Sequence, residues 1–198
     1  MILLRWAAAI GAAVAGVWAQ APLPALRVEA VDAGSILYVK NRGEQPLTAF
    51  LVELVDYPGS SFRYLYDDLA APIAPGVEKR IAVGNMLPGA VPDSVKVEAA
   101  IFADGSTAGT PAKVERLVER RRTVLETMRE ALRRIGAGER APELWNWSAA
   151  LRAARKEDAA AVVAATAERV ATGSVEMALE ALRKSESLLA SSKPALVR

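Results

Sequence analysis

The chain has 198 residues, a formal net charge of only +2, and neither cysteine nor histidine. That double absence removes Ser-His-Asp and Cys-His triads, histidine general bases, thiolate nucleophiles and every Cys/His zinc or iron–sulfur site. The near-neutral total gives no overall basic field of the kind that holds nucleic acid, so no nucleic-acid partner is expected.

In chain order, Met1 to Leu4 and Arg5 precede an apolar run from Trp6 to Trp18, closed by Val17-Trp18-Ala19 ahead of Gln20. This is the layout of a secretory signal peptide over residues 1–19, cut after Ala19, with the protein exported to the periplasm or beyond. The competing reading is an uncleaved anchor, because Ile2 to Ala19 is interrupted only by Arg5 and approaches the roughly 20 residues a spanning helix needs. The membrane is a partner only on that second reading. Without cysteine, an exported chain must be held by its core alone, and a domain of about 150 residues buries roughly 70% of its unfolded surface.

Residues 20–110 carry 7 Lys/Arg against 11 Asp/Glu, whereas residues 111–198 carry 17 against 12. Such a dipole favours docking of the two halves on each other or on charged partners. The acidic half, residues 22–110, reads as strand and turn: Leu26 to Val31, Ile36 to Asn41, Leu47 to Tyr57, Phe62 to Tyr66, Val77 to Val83 and Val95 to Phe102, broken by Gly- and Pro-containing turns. Short strands with regular breaks predict a β-sandwich. The last of them alternates, Val95, Val97, Ala99 and Ile101 against Lys96 and Glu98, which predicts one solvated face. The strand from Leu47 is apolar on both sides, with Leu47, Ala49, Leu51 and Val55 on one and Phe50, Val52 and Leu54 on the other. Its outer side needs a cover, and a helix from the second half is the candidate.

That half, residues 111–198, opens after Asp104-Gly105, a hairpin-turn pair, and a strand stub at Ser106 to Ala108, with Thr110 as N-cap and Pro111 as the first helical residue. Val114, Val118, Leu125, Met128, Leu132 and Ile135, reinforced by Leu117 and Val124, define a long amphipathic helix over 111–135, roughly 36 Å in length. Arg121 falls on this apolar stripe and breaks it, which predicts an interface position against an acid of the first half such as Asp56 or Asp68. Three shorter helices follow: one from Pro142 through Trp145 and Trp147, one from Asp158 to Thr172, and one from Val175 to Ala190, with Gly173 between the last two. Ser191 to Arg198 reads as a frayed end. The fold class is therefore α+β: an immunoglobulin-like β-sandwich, a long amphipathic helix, and a small C-terminal helical bundle.

One resemblance attaches to an ordered set of motifs. Asn41 with Pro46-Leu47-Thr48-Ala49-Phe50, Asp68 ahead of Ala71-Pro72-Ile73-Ala74-Pro75-Gly76, Ile101-Phe102-Ala103-Asp104-Gly105-Ser106 with Gly109-Thr110-Pro111, and Arg120-Arg121-Arg122 resemble a set of exported bacterial proteins with an immunoglobulin-like domain followed by helices. It covers roughly residues 26–135. It implies fold and export, and no activity.

Candidate chemistry is thin. Gly136-Ala137-Gly138-Glu139-Arg140-Ala141 matches a dinucleotide fingerprint by letters but follows a helix, so it reads as a linker. Gly105-Ser106-Thr107-Ala108-Gly109 reads as a turn rather than a nucleophile elbow. Asn146-Trp147-Ser148 is a glycosylation sequon by letters, on a helix. Phe62, Tyr64 and Tyr66 alternate on one strand face, where they could stack on sugar rings or simply pack. Arg120, Arg121, Arg122, Arg129, Arg133 and Arg134 could hold an anionic envelope polymer, but Glu119, Glu126 and Glu130 lie within one helical turn, so internal pairing is the expectation. Carboxylate-only hydrolysis needs no histidine. Asp67 and Asp68 are adjacent, however, and on a strand would point to opposite faces. No cofactor or metal is expected, and a calcium site near the turns has no supporting pattern. The reading is a non-catalytic binding or structural module of the cell envelope, meeting an envelope protein or polysaccharide. Its candidate surface residues are Phe62, Tyr64, Tyr66, Arg121 and Trp145, with an apolar patch around Trp145 and Leu151 if the partner is a protein.

Overall fold

A computed structural model describes residues 21–31, 34–54, 62–84 and 95–196. Seven strands come first and four helices follow: β1 Ala25–Val31, β2 Gly34–Lys40, β3 Leu47–Leu54, β4 Arg63–Asp67, β5 Glu78–Val83, β6 Val95–Phe102, β7 Thr107–Gly109, then α1 Pro111–Gly136, α2 Ala141–Ala153, α3 Glu157–Thr172 and α4 Val175–Ala190. The strands make two antiparallel sheets, ordered β1-β2-β5 and β4-β3-β6-β7. The chain is thus a mixed α+β protein with its strands and helices segregated along the sequence.

Three apolar clusters stack through the molecule. In the first, Leu37 and Val39 of one sheet face Phe50, Val52, Val97, Ala100 and Phe102 of the other. In the second, the opposite side of the four-stranded sheet, Ala49, Leu51, Ala99 and Ile101, meets Leu117, Val118, Val124 and Leu125 of α1. The third lies among the helices, joining Ala131 and Ile135 to Leu144, Val163, Ala167 and Leu182. The central strand β3 is buried along its whole length, so the cover it demanded is α1.

Two bulges correct the face assignments. The β3–β6 register slips between Leu47 and Ala49 and again between Leu51 and Val52. Each slip inserts one residue, Thr48 in β3 and Glu98 in β6, and one residue reverses the parity of everything beyond it. Leu47 consequently joins Phe50 in the inter-sheet core, not Ala49 and Leu51. In β6, Val95 and Val97 face the other sheet while Ala99 and Ile101 face α1. The expected single solvated face does not exist beyond Glu98, since residues 99–102 are all buried.

The α1 start follows from its letters. Pro111 is the first helical residue, and the Thr110 carbonyl receives the N–H groups of Lys113 and Val114 at 2.9 and 3.0 Å. Glu143 reaches back to the Arg140 N–H at 2.9 Å to start α2, and the Ser174 hydroxyl accepts from Met177 N–H at 3.1 Å to start α4. The end of the chain departs from expectation. Instead of fraying after Ser191, it runs back against the sheet, where Leu196 is 6% exposed in the second cluster and the Lys193 side chain lies against Gly105.

Candidate functional site: the sheet–helix seam

Where α1 crosses the four-stranded sheet, the acids of the strands meet the bases of the helix. Arg121 is fully buried, the only charged residue among the described residues with 0% exposure. Its Nη2 donates to Asp67 Oδ1 at 2.8 Å and to Thr48 Oγ1 at 3.0 Å, its Nε donates to Oδ1 and Oδ2 of Asp67 at 3.1 and 3.3 Å, and its Nη1 donates to the Lys193 carbonyl at 3.2 Å. The planar guanidinium suits this two-pronged grip on one carboxylate. Its position is a product of both bulged and straight chain: Thr48 is the bulge residue of β3, Asp67 ends β4, and Lys193 lies in the returning tail.

The interface position expected for Arg121 is what the fold contains, but the acid is Asp67. Asp68, the neighbour named from sequence, turns the other way and caps a turn, accepting from the N–H groups of Ala70 and Ala71 at 3.0 and 2.8 Å. Asp56 lies outside the described residues. Next along the helix, Arg120 links Asp67 at 3.1 Å to Asp158 of α3 at 2.8 Å. At the other end of the seam, Glu53 of β3 pairs with Lys113, with Arg63 at 3.0 Å and with Arg116 at 3.5 Å. Burial pushes the Glu53 carboxyl up, but the hydrogen bonds from Lys113 and Arg63 outweigh it and hold the group below the ordinary glutamate value.

The remaining arginines of the basic run pair internally. Arg122 reaches Glu115 and Glu119, Arg129 reaches Glu186 of α4, and Arg133 and Arg134 share Glu130. Arg134 also lies over the Trp147 ring at 4.2 Å.

The aromatic strand does not offer an open stacking platform. Tyr66 is 8% exposed and stacks on Phe50 with ring centroids 4.9 Å apart, while Tyr64 and Phe62 pack against the same inter-sheet core. Lys79 donates to the Tyr66 hydroxyl at 2.6 Å from the neighbouring sheet. Alternation identifies a shared strand face for these rings without saying which way that face turns. Trp145 is 39% exposed on α2, but Leu151 is half-buried against the helical core and does not extend a patch beside it. Ser148 of the sequon is fully buried and donates to the Ala160 carbonyl at 2.9 Å.

A groove of about 260 Å³ opens beside the seam, lined by Asp68, Leu69, Arg120, Met128, Val162 and Leu188 among others. Among the described residues no group of acidic side chains is placed to hold a metal ion. No described helix is long and apolar enough to cross a membrane.

No family model matches this chain, and neither curated proteins nor solved structures return a match.

Sequence reasoning missed Asp67, Thr48 and Glu53 as members of the seam. Glu53 carried a signal, an acid amid the apolar residues of β3. Thr48 carried none, because its role depends on a bulge.

Proposed function

We propose that the protein is an exported, non-catalytic binding module of the cell envelope, built on an immunoglobulin-like sandwich and acting through protein contacts. Export rests on the N-terminal charge, apolar run and small residues before Gln20. The resemblance to exported immunoglobulin-like proteins supports the same address and fold. Two face-to-face antiparallel sheets of three and four strands agree with that architecture.

One observation carries the contact reading. Charged side chains along the seam are engaged within the molecule, whereas the helices present apolar ones outward, with Trp145 39% and Met177 68% exposed. Both lie near the starts of their helices, α2 and α4. Exposed tryptophan and methionine side chains are of the kind that protein partners engage.

The test is retention of envelope material by the immobilised protein and by Trp145→Glu and Met177→Glu variants. A protein held by the parent chain and released by both variants, with folding unchanged, supports the reading. Polysaccharide held equally by all three, and lost with Tyr64→Ala, overturns it.

A further inference from the structure

The two sheets have four edges, and three are guarded. β7 is three residues long, β4 is five, and β5 carries Glu78, Lys79 and Arg80 in succession. β1 is the least guarded: it runs seven residues, pairs with β2 without a register shift, contains no proline, lysine or glycine, and its two charges, Arg27 and Glu29, are of opposite sign on one face. No described residue pairs with its outer edge.

The outer edge has a defined hydrogen-bonding parity. Val31 pairs with Gly34 across a two-residue connection, so these two exchange both hydrogen bonds, and alternation assigns Glu29, Arg27 and Ala25 to β2 in the same way. The N–H and C=O groups of Leu26, Val28 and Ala30 therefore point away from the sheet.

We infer that β1 pairs antiparallel with β1 of a second copy, about a two-fold axis through Val28, joining two three-stranded sheets into one. In that register Val28 exchanges both bonds with its own counterpart, and Leu26 exchanges both with Ala30 of the second copy, so every outward group is satisfied. Arg27 then stands opposite Glu29 of the second copy, and Glu29 opposite Arg27, at non-hydrogen-bonded positions where side chains approach most closely. Shifting the register by two residues either way keeps the parity but sets Arg27 against Arg27 or Glu29 against Glu29. The charge pattern selects one register and selects a copy of this strand as the occupant. Both side chains are solvent-facing, at 59% and 50% exposed on the outer face. Within one copy Arg27 lies 3.8 Å from Glu29 and from Glu78 and 3.7 Å over the Tyr38 ring, and Glu29 accepts from the Tyr38 hydroxyl at 2.8 Å, so a second copy meets them as partners at the edge of that cluster. One strand pair buries less than the roughly 1,600 Å² of a standard interface, so the association is weak and concentration-dependent.

Sedimentation velocity over a concentration series on the full chain tests this, comparing the parent with Arg27→Glu and Glu29→Arg. Each single reversal opposes like charges twice across the axis and weakens self-association by about tenfold or more. Mixing the two variants places glutamates opposite arginines again and restores the dimer. A parent that stays monomeric throughout, variants that associate as the parent does, or a mixture that fails to recover, each overturns the inference. Circular dichroism of each variant separates loss of pairing from loss of fold.

Discussion

Arg121 of α1 and Asp67 of β4 form a buried, two-pronged ion pair with N–O distances from 2.8 to 3.3 Å, and through it the helical half of the chain is fixed to the strand half. The pair does not act alone. Thr48 and the Lys193 carbonyl take the remaining guanidinium donors, and Arg120 holds Asp67 from a second side. A buried charge of this kind is costly unless every donor has a partner.

The two partners are therefore unequal under mutation. Asp67→Leu strands a fully buried guanidinium and costs about 3–5 kcal/mol of stability. Arg121→Leu leaves Asp67 with Arg120 and costs less, about 2 kcal/mol. The double variant recovers part of the larger loss. Urea unfolding of the three variants measures all of these, and an Arg121→Leu protein as stable as the parent would show that the pair contributes nothing.

Acid weakens the protein through its paired glutamates. Hydrogen bonds from Arg133 and Arg134 hold Glu130 at about 2, below its ordinary value of 4.5, and Glu53 is lowered as well. Groups depressed on folding stabilise the native state above their unfolded value and lose that contribution as pH falls through the folded one. Stability should fall between pH 4.5 and about 2, and Glu130→Gln should flatten the profile across that window. Unfolding midpoints measured at stepped pH give the comparison.

Backbone conformation supplies a contrasting pair. Gly109 has φ of +99°, and a Cβ there would sit 2.2 Å from the Glu98 carbonyl oxygen, on the bulge that turns β6. Gly109→Ala should cost more than about 2 kcal/mol, because backbone rather than a mobile side chain stands in the way. Arg155, exposed at the end of α2, has φ of 57°, with the Lys156 N–H bonded to the Leu151 carbonyl at 2.9 Å. Arg155→Gly should raise stability by about 0.5 kcal/mol, since only the unfavourable left-handed conformation is relieved. Thermal unfolding of both variants checks the opposite signs.

The order of the elements was legible in the letters, because turn residues, caps and the helical stripe are local signals. Pro111, Gly173 and the Arg121 break in the stripe each read correctly for that reason. The Thr48 and Glu98 bulges were not legible, since alternation is counted on the assumption that no residue is inserted. The partner of Arg121 depends on which strand end lies under α1, which is a property of the assembled sheet. Placement of Phe62, Tyr64 and Tyr66 against the core required knowing where the second sheet sits.

The tail departs from the sequence expectation for a related reason: Ser191-Ser192-Lys193 follows the last helix with no apolar periodicity, and the segment to Leu196 gains its order from distant contacts. Leu196→Ala should cost about 2 kcal/mol. Amide hydrogen exchange across Ser191 to Leu196 should be slow in the parent chain and fast in that variant.

The central claim is that strands and helices unfold as one body held at the Arg121–Asp67 seam. Amide hydrogen exchange under mild denaturant tests it most directly, by comparing peptides from β2 and β3 with peptides from α2 and α3. One shared opening free energy for all four elements, falling together in Asp67→Leu, is the result the account predicts. Helices that open at lower free energy than the strands, with strand exchange unchanged by Asp67→Leu, would contradict it.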